Sequence, residues 1–242
     1  MFTARQLRFR LPAPRTHGGR RRGAGRKPKA ARAGVSHHGR PEVTAATPVH
    51  VTLRVLPHVW NLRSGRSLRV VEAALSAIRD GSGFRVVHFS LQGNHLHLLV
   101  EAGGAGALSA GMQGLTIRLA KGLNGLMARR GRVFADRYHA HVLRTPAEVR
   151  NALAYVLLNH RSHRARAGER AGRGSVDRYS SGACFDGWRD AAGRGEAARV
   201  TAAARTWLLA TGWRRRGLLS VDEVPAVVAL GGPPGPPACG SR

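Results

Sequence analysis

Two histidines, His95 and His97, stand two residues apart in FRVVHFSLQGNHLHLLVE, residues 84–101. The segment reads as a hairpin. Val and Phe enrich residues 84–91, Gln92, Gly93 and Asn94 supply turn chemistry, and residues 95–101 alternate again. On a strand both imidazoles leave one face, about 6–7 Å apart at their Cα atoms, while Leu96 and Leu98 leave the other. Two neighbouring imidazoles are a partial metal site, because imidazole is the commonest side-chain metal ligand. The same tripeptide also fits two solvated or hydrogen-bonded histidines. A second pair, His139 and His141, shows how readily the pattern arises in a chain with 12 His.

About 55 residues later, AEVRNALAYVLLNHRSH (residues 147–163) reads as a helix. Val149, Leu153, Val156 and Leu157 form one apolar stripe. Tyr155 lies roughly opposite its centre, and Asn159, four residues on, stands beside it. A phenol and a carboxamide therefore project together, away from the stripe; an ordinary boundary tyrosine with a solvated asparagine fits the same spacing. Tyr138 is a rival phenol beside the second histidine pair. Successive strand residues face opposite ways, so Tyr138 does not share a face with His139 or His141. Tyr179 lies in a Gly/Ser-rich stretch without a nearby ligand set.

The elements that must position these groups follow in order. VHVTLRV (residues 49–55) alternates as a strand, and a helix capped by Ser67 is expected to about Arg79. After the hairpin, a long helix is expected from about Ala107 to Arg130, with Leu108, Met112, Leu115, Leu119, Leu123 and Leu126 as its core stripe. Tyr138 to Arg144 reads as a strand. Thr145, Pro146 and Glu148 form a helix start with the capping-box pattern, for a helix to about Ser162. The order β-α-β-β-α-β-α predicts an α+β fold with a ferredoxin-like antiparallel sheet and helices on one face.

The chain has 242 residues, enough for one packed domain with appendages. Residues 1–47 read as a disordered basic arm, within which residues 20–32 resemble a loose minor-groove-binding segment. Residues 48–164 form the expected catalytic domain. Residues 165–230 form an appendage with a helical stretch around Val200, Ala204, Trp207 and Leu208, and a short amphipathic piece over 218–230; residues 231–242 form a disordered tail. Phe185, Trp188, Trp207 and Trp213 are expected to pack the appendage onto the domain, with base stacking as their alternative role.

Lys and Arg total 40 against 13 Asp and Glu, a net charge of +27 spread along the chain. A surplus within the folded part points to a polyanionic partner, nucleic acid foremost. Arg118, Arg129, Arg130 and Arg137 are phosphate-contact candidates on charge alone. The two cysteines, Cys184 and Cys239, suit a reducing cytoplasm and form neither a disulfide framework nor a zinc module. No apolar run approaches the ~20 residues of a membrane span, and the basic N-terminus lacks the apolar stretch of a signal peptide.

The constellation of His95-Leu96-His97 in QGNHLHLLV, Tyr155 to Asn159, and VFADRYHAHVL over residues 133–143 resembles the single-tyrosine HUH transposases, an insertion-sequence-200-like family, and in particular their REP-associated tyrosine transposase branch. The likeness covers about residues 48–164. Gly93 and His160 stand where that family often has proline. The resemblance implies that a divalent ion, Mg²⁺ or Mn²⁺, would be held by His95, His97 and Asn159. It implies that Tyr155 would attack a phosphate of single-stranded or hairpin DNA to give a covalent 5′-phosphotyrosine and a free 3′-OH. It further implies a monomer or a homodimer, in a cytoplasmic, nucleoid-associated setting. A basic nucleic-acid-binding protein of the same fold that does not cut is the competing expectation.

Overall fold

The computed structural model describes residues 42–225, apart from 80, 82, 167, 169–171 and 191–199. Most of the basic arm, including residues 20–32, and the C-terminal tail lie outside the described residues.

Four strands form one antiparallel sheet: β1 (Val49–Arg54), β2 (Phe84–Leu91), β3 (His95–Ala102) and β4 (His139–Val142), in the order β2-β3-β1-β4. With helix α1 (Gly65–Ser76) between β1 and β2 and helix α2 (Ala105–Leu126) between β3 and β4, this is the ferredoxin-like arrangement expected from the sequence. The β2–β3 hairpin is closed by Gln92 N–H donating to the His95 carbonyl at 2.8 Å.

Alternation along the strands sorts the residues onto two faces. Val49, Val51, Leu53, Leu96 and Leu98 join Leu108, Met112, Leu115, Leu119 and Leu123 of α2, and Leu68, Val71 and Leu75 of α1, in one core. The stripe expected for α2 is this buried face as far as Leu123; Leu126, where the helix ends, is only half-buried. Where α2 crosses β2 the approach is very close: a Cβ on Gly111 would stand 2.1 Å from the Phe84 ring.

Helix α3 (Pro146–Arg166) packs against the opposite face, so the helices are not confined to one face as expected: Val87 and Leu99 give that face an apolar patch of its own, on which α3 builds a second core. The helix begins close to the capping-box pattern, with the Glu148 side chain bonding one residue before the cap. Glu148 N–H donates to Thr145 Oγ1 at 3.2 Å, and the Glu148 carboxylate reaches back to the Arg144 N–H at 2.6 Å. The cap of α1 falls three residues earlier than expected: Ser64 Oγ accepts from the Ser67 N–H at 3.1 Å. Ser67 is buried within the first turn.

The appendage is less helical than its spacing suggests. Among the described residues after 181 only Trp207–Ala210 (α4) is α-helical, flanked by 3-10 turns at Ser181–Cys184 and Gly212–Arg216. Residues 200–206 are held extended, with the Ala202 N–H donating to the Val86 carbonyl at 2.9 Å. Buried Glu101 explains the late helix start. It accepts from the Arg205 N–H at 3.0 Å and from the Thr206 N–H and Oγ1 at 2.8 Å, fixing those residues outside the helix. Thr206 then caps α4 through the Leu209 N–H. Phe185, Trp188 and Trp213 are buried together against α3, whereas Trp207 is half exposed.

Candidate functional site

The sheet register gathers histidines that the sequence separates widely. Directly opposed residues of an antiparallel pair share a face. In that register Thr52 opposes His97, Arg54 opposes His95, and His50 opposes Leu99. On the other side of β1, His50 opposes His141 and Thr52 opposes His139. His95, His97, His50, His139 and His141 therefore line one face, the face that α3 covers. The second histidine pair belongs to the same surface as the first.

Tyr155 meets this surface within the same chain. Its ring centroid lies 5.0 Å from that of His97 and 5.8 Å from that of His50, edge to face in both cases. The His95 and His97 rings are 4.6 Å apart and nearly perpendicular. Asn159, one turn further along α3, is buried, and its Nδ2 has no hydrogen-bond partner. Tyr155 and Asn159 leave the Val149–Leu153–Val156–Leu157 stripe as the helical spacing requires. Ala152, Ala154 and Leu158 are buried as well, because α3 is sandwiched between the sheet and the appendage.

His97 is the most constrained member. Its Nδ1 lies 3.2 Å from both His50 Nε2 and Thr52 Oγ1, while its Nε2 is buried without a partner. An orphaned buried nitrogen of this kind fits a site for a metal ion or a ligand group. His95 Nδ1 is engaged by the Asn94 side-chain oxygen at 2.8 Å. In both residues the contact on Nδ1 leaves Nε2 as the nitrogen available to a ligand. Among the described residues no three His, Cys, Asp or Glu side chains converge on a metal position. A set of two imidazoles completed by a carboxamide oxygen is a different ligand group, and the orphaned His97 Nε2 fits it.

Burial sets the electrostatics. It pushes His95 down to about 4, helped by Arg54 and His163. It pushes His50 down to about 3, helped by His141, His139 and His95. His97 falls well below the ordinary histidine value through burial and then the neighbouring His50, His95 and His163. All three are neutral at pH 7, the form in which imidazole offers a lone pair to a metal.

The remaining candidates distribute unevenly. Arg118 lies on α2, across the sheet from the imidazoles, and bonds its own helix at the Gly114 carbonyl. Arg129 and Arg130 follow α2 in a loop that returns to β1 near its His95 end, where the Ala135 N–H donates to the Arg54 carbonyl. Arg137 is exposed just before β4. Tyr138 packs into the core under α1 and α2, on the face away from His139 and His141. Tyr179 lies beneath the Arg63 guanidinium at 4.6 Å. His160, beside Asn159, is 3.9 Å from the Asp177 carboxylate, which Arg63 clasps through both oxygens.

Sequence reading missed His50 and Thr52. Their signal was the alternation of VHVTLRV: these two are the polar members between Val49, Val51 and Leu53, so they had to share a face.

No protein-family model matches the chain, and no curated protein matches it either. A solved structure described as "Structure of the REP associates tyrosine transposase bound to a REP hairpin" is similar to it at 14% identity and a TM-score of 0.41, over 53% of this chain and 74% of the other. Among the described residues no helix is long and apolar enough to cross a membrane.

Proposed function

We propose that the protein cleaves and rejoins single-stranded DNA, with Tyr155 as nucleophile and His95, His97 and Asn159 as ligands of a divalent ion, Mg²⁺ or Mn²⁺. The observation that carries this reading is the 5.0 Å contact between the rings of Tyr155 and His97, made across 58 residues of sequence within one chain. When bound, the ion polarises the scissile phosphate and offsets the charge that develops there.

The chain's own residues account for the rest. α3 holds the phenol against the imidazole face, which would set the nucleophile beside the proposed metal ligands. Tyr155 Oη attacks phosphorus, and its proton leaves to water. The P–O3′ bond breaks, and the departing 3′ oxygen takes up a proton. The product is a 5′-phosphotyrosine and a free 3′-OH. The new ester replaces a phosphodiester, so an incoming 3′-OH reverses the step and joins strands without hydrolysis. Arginines supply the phosphate contacts, and Arg129 and Arg130 are better placed than Arg118 because their loop returns to the strand end that carries His95.

The experiment is incubation with 5′- and 3′-labelled single-stranded hairpin DNAs and Mn²⁺, followed by a denaturing gel. A covalent adduct that disappears in Tyr155→Phe supports the reading. Tight binding without an adduct across a broad set of hairpins would leave a nucleic-acid-binding protein that does not cut.

A further inference from the structure

The loop between β1 and α1 presents Trp60 at 48% exposure, one of the few large apolar side chains on the described surface. It is the largest side chain of its loop, and its backbone is fixed: the Trp60 N–H points at Met127 Sδ at 3.5 Å. The loop is stitched to the turn that precedes His95. Val55 N–H donates to the Asn94 carbonyl and Leu62 N–H to the Gly93 carbonyl, both at 3.0 Å. On its other flank the Leu56 N–H donates to the Val133 carbonyl at 2.8 Å, and His58 Nε2 lies 3.3 Å from the Arg132 carbonyl. Trp60 thus stands between the hairpin turn carrying His95 and the arginine-rich loop after α2.

The charge around it is mainly positive, although Arg63 is paired with Asp177. Residues 54–66 and 127–137 together contain seven arginines and a single acid, Asp136. The Arg66 guanidinium lies over the Trp60 ring at 5.4 Å. An exposed indole on a fixed loop within a cationic field has the two parts of a single-strand binding surface: a flat platform for a base and cations for the flanking phosphates. The other half-exposed tryptophan, Trp207, differs. It too has an arginine over its ring, Arg215 at 4.9 Å, but it lies in the appendage, with Gly212 packed so closely that a Cβ there would be 2.6 Å from the indole.

The geometry points to Trp60 as a stacking platform for an unpaired base of single-stranded DNA, on a loop bonded to the turn that leads into His95. Arg66, Arg129 and Arg130 neutralise the phosphates on either side. The inference rests on the DNA-cleavage reading for its substrate, and it is tested by binding alone so that the two fail separately.

The test uses the full chain carrying Tyr155→Phe, in EDTA, with a fluorescent DNA hairpin that has a single-stranded flank. Anisotropy titrations are repeated with each flank base replaced in turn by an abasic site. Trp60→Leu is expected to weaken binding about 5- to 100-fold, with Trp60→Phe retaining most of the affinity. One abasic position should weaken the parent to a similar degree and leave Trp60→Leu unaffected, since base and ring are then partners already separated. Affinity unchanged in Trp60→Leu overturns the inference. So does an equal loss in Trp207→Leu, or abasic sensitivity that persists without Trp60. Thermal melts of each variant establish that the fold is intact. Loss of base-dependent binding together with absent cleavage by the wild-type protein would sink the chemistry and keep the platform.

Discussion

His50 Nε2 lies 3.2 Å from His97 Nδ1, and Thr52 Oγ1 lies at the same distance from that nitrogen. For His97 Nε2 to offer a lone pair, Nδ1 must carry the proton, and His50 and Thr52 are then its acceptors. Partners of this kind orient a ligand and fix its tautomer. His50→Ala combined with Thr52→Val should lower Mn²⁺ affinity about 10- to 100-fold, the usual cost of removing such support. Calorimetric titration of the metal-free protein measures this directly, with circular dichroism as the check on folding. Unchanged affinity would mean that His97 is not a ligand or needs no orienting.

Acid should unfold the metal-free protein by a route that the histidine cluster dictates. Burial lowers His50 to about 3 and His95 to about 4 in the folded chain, and lowers His97 as well. Unfolded, each titrates near 6.5. Between those values the unfolded state binds more protons than the native one, so stability rises with pH across that window. The contribution is fully present above about 6.5 and is lost as pH falls toward 4. Three such groups give a ceiling of about 4 kcal/mol per pH unit, large against ordinary domain stabilities of about 5–15 kcal/mol. Urea midpoints from pH 8 to pH 4 should be flat at first and then fall steeply. His50→Gln should show a shallower slope; an identical slope would contradict the assignment.

Glu101 ties the appendage to the sheet. The carboxylate is buried, pairs with Arg85 at 3.1 Å and accepts from the backbone of Arg205 and Thr206. Glu101→Gln puts an amide N–H against those donors and strips Arg85 of its partner. Removing one member of a buried pair costs about 3–5 kcal/mol. The loss should be local. Amide exchange at Arg205, Thr206 and Leu209 should accelerate far more than in β1 and β3. Uniform acceleration would show that the appendage and the sheet unfold as one unit.

The candidate groups could be placed from the sequence because each followed a simple period. A two-residue repeat put His95 and His97 on one face, and a four-residue repeat put Asn159 beside Tyr155. The alternation of β1 and the capping box at Thr145 set the frame. What escaped is what depends on register and on long-range contact. Only the β3-β1-β4 pairing reveals that His50, His139 and His141 join the same face. Only the folded appendage explains why Ala154 and Leu158, off the apolar stripe, are buried, and why a helix-like Ala-rich run is extended up to Thr206.

Asn159 offers a test in which stability and function should move apart. Its Nδ2 is buried and unpaired, an arrangement that costs free energy in the absence of a ligand. Asn159→Leu keeps the branching at Cγ in a somewhat larger side chain and removes the unpaired polar atom. In the metal-free protein it should leave stability unchanged or raise it by about 1 kcal/mol, which thermal melts resolve. If the carboxamide completes the ligand set, Mn²⁺ should raise the melting temperature of the wild-type protein and do so far less in the variant, because only a ligand that binds the native state stabilises it. A purely structural asparagine gives the reverse pattern: the variant is destabilised, and its response to Mn²⁺ is intact. The combination of a firmer fold with a lost metal response is the signature of a buried group kept for binding at the expense of packing.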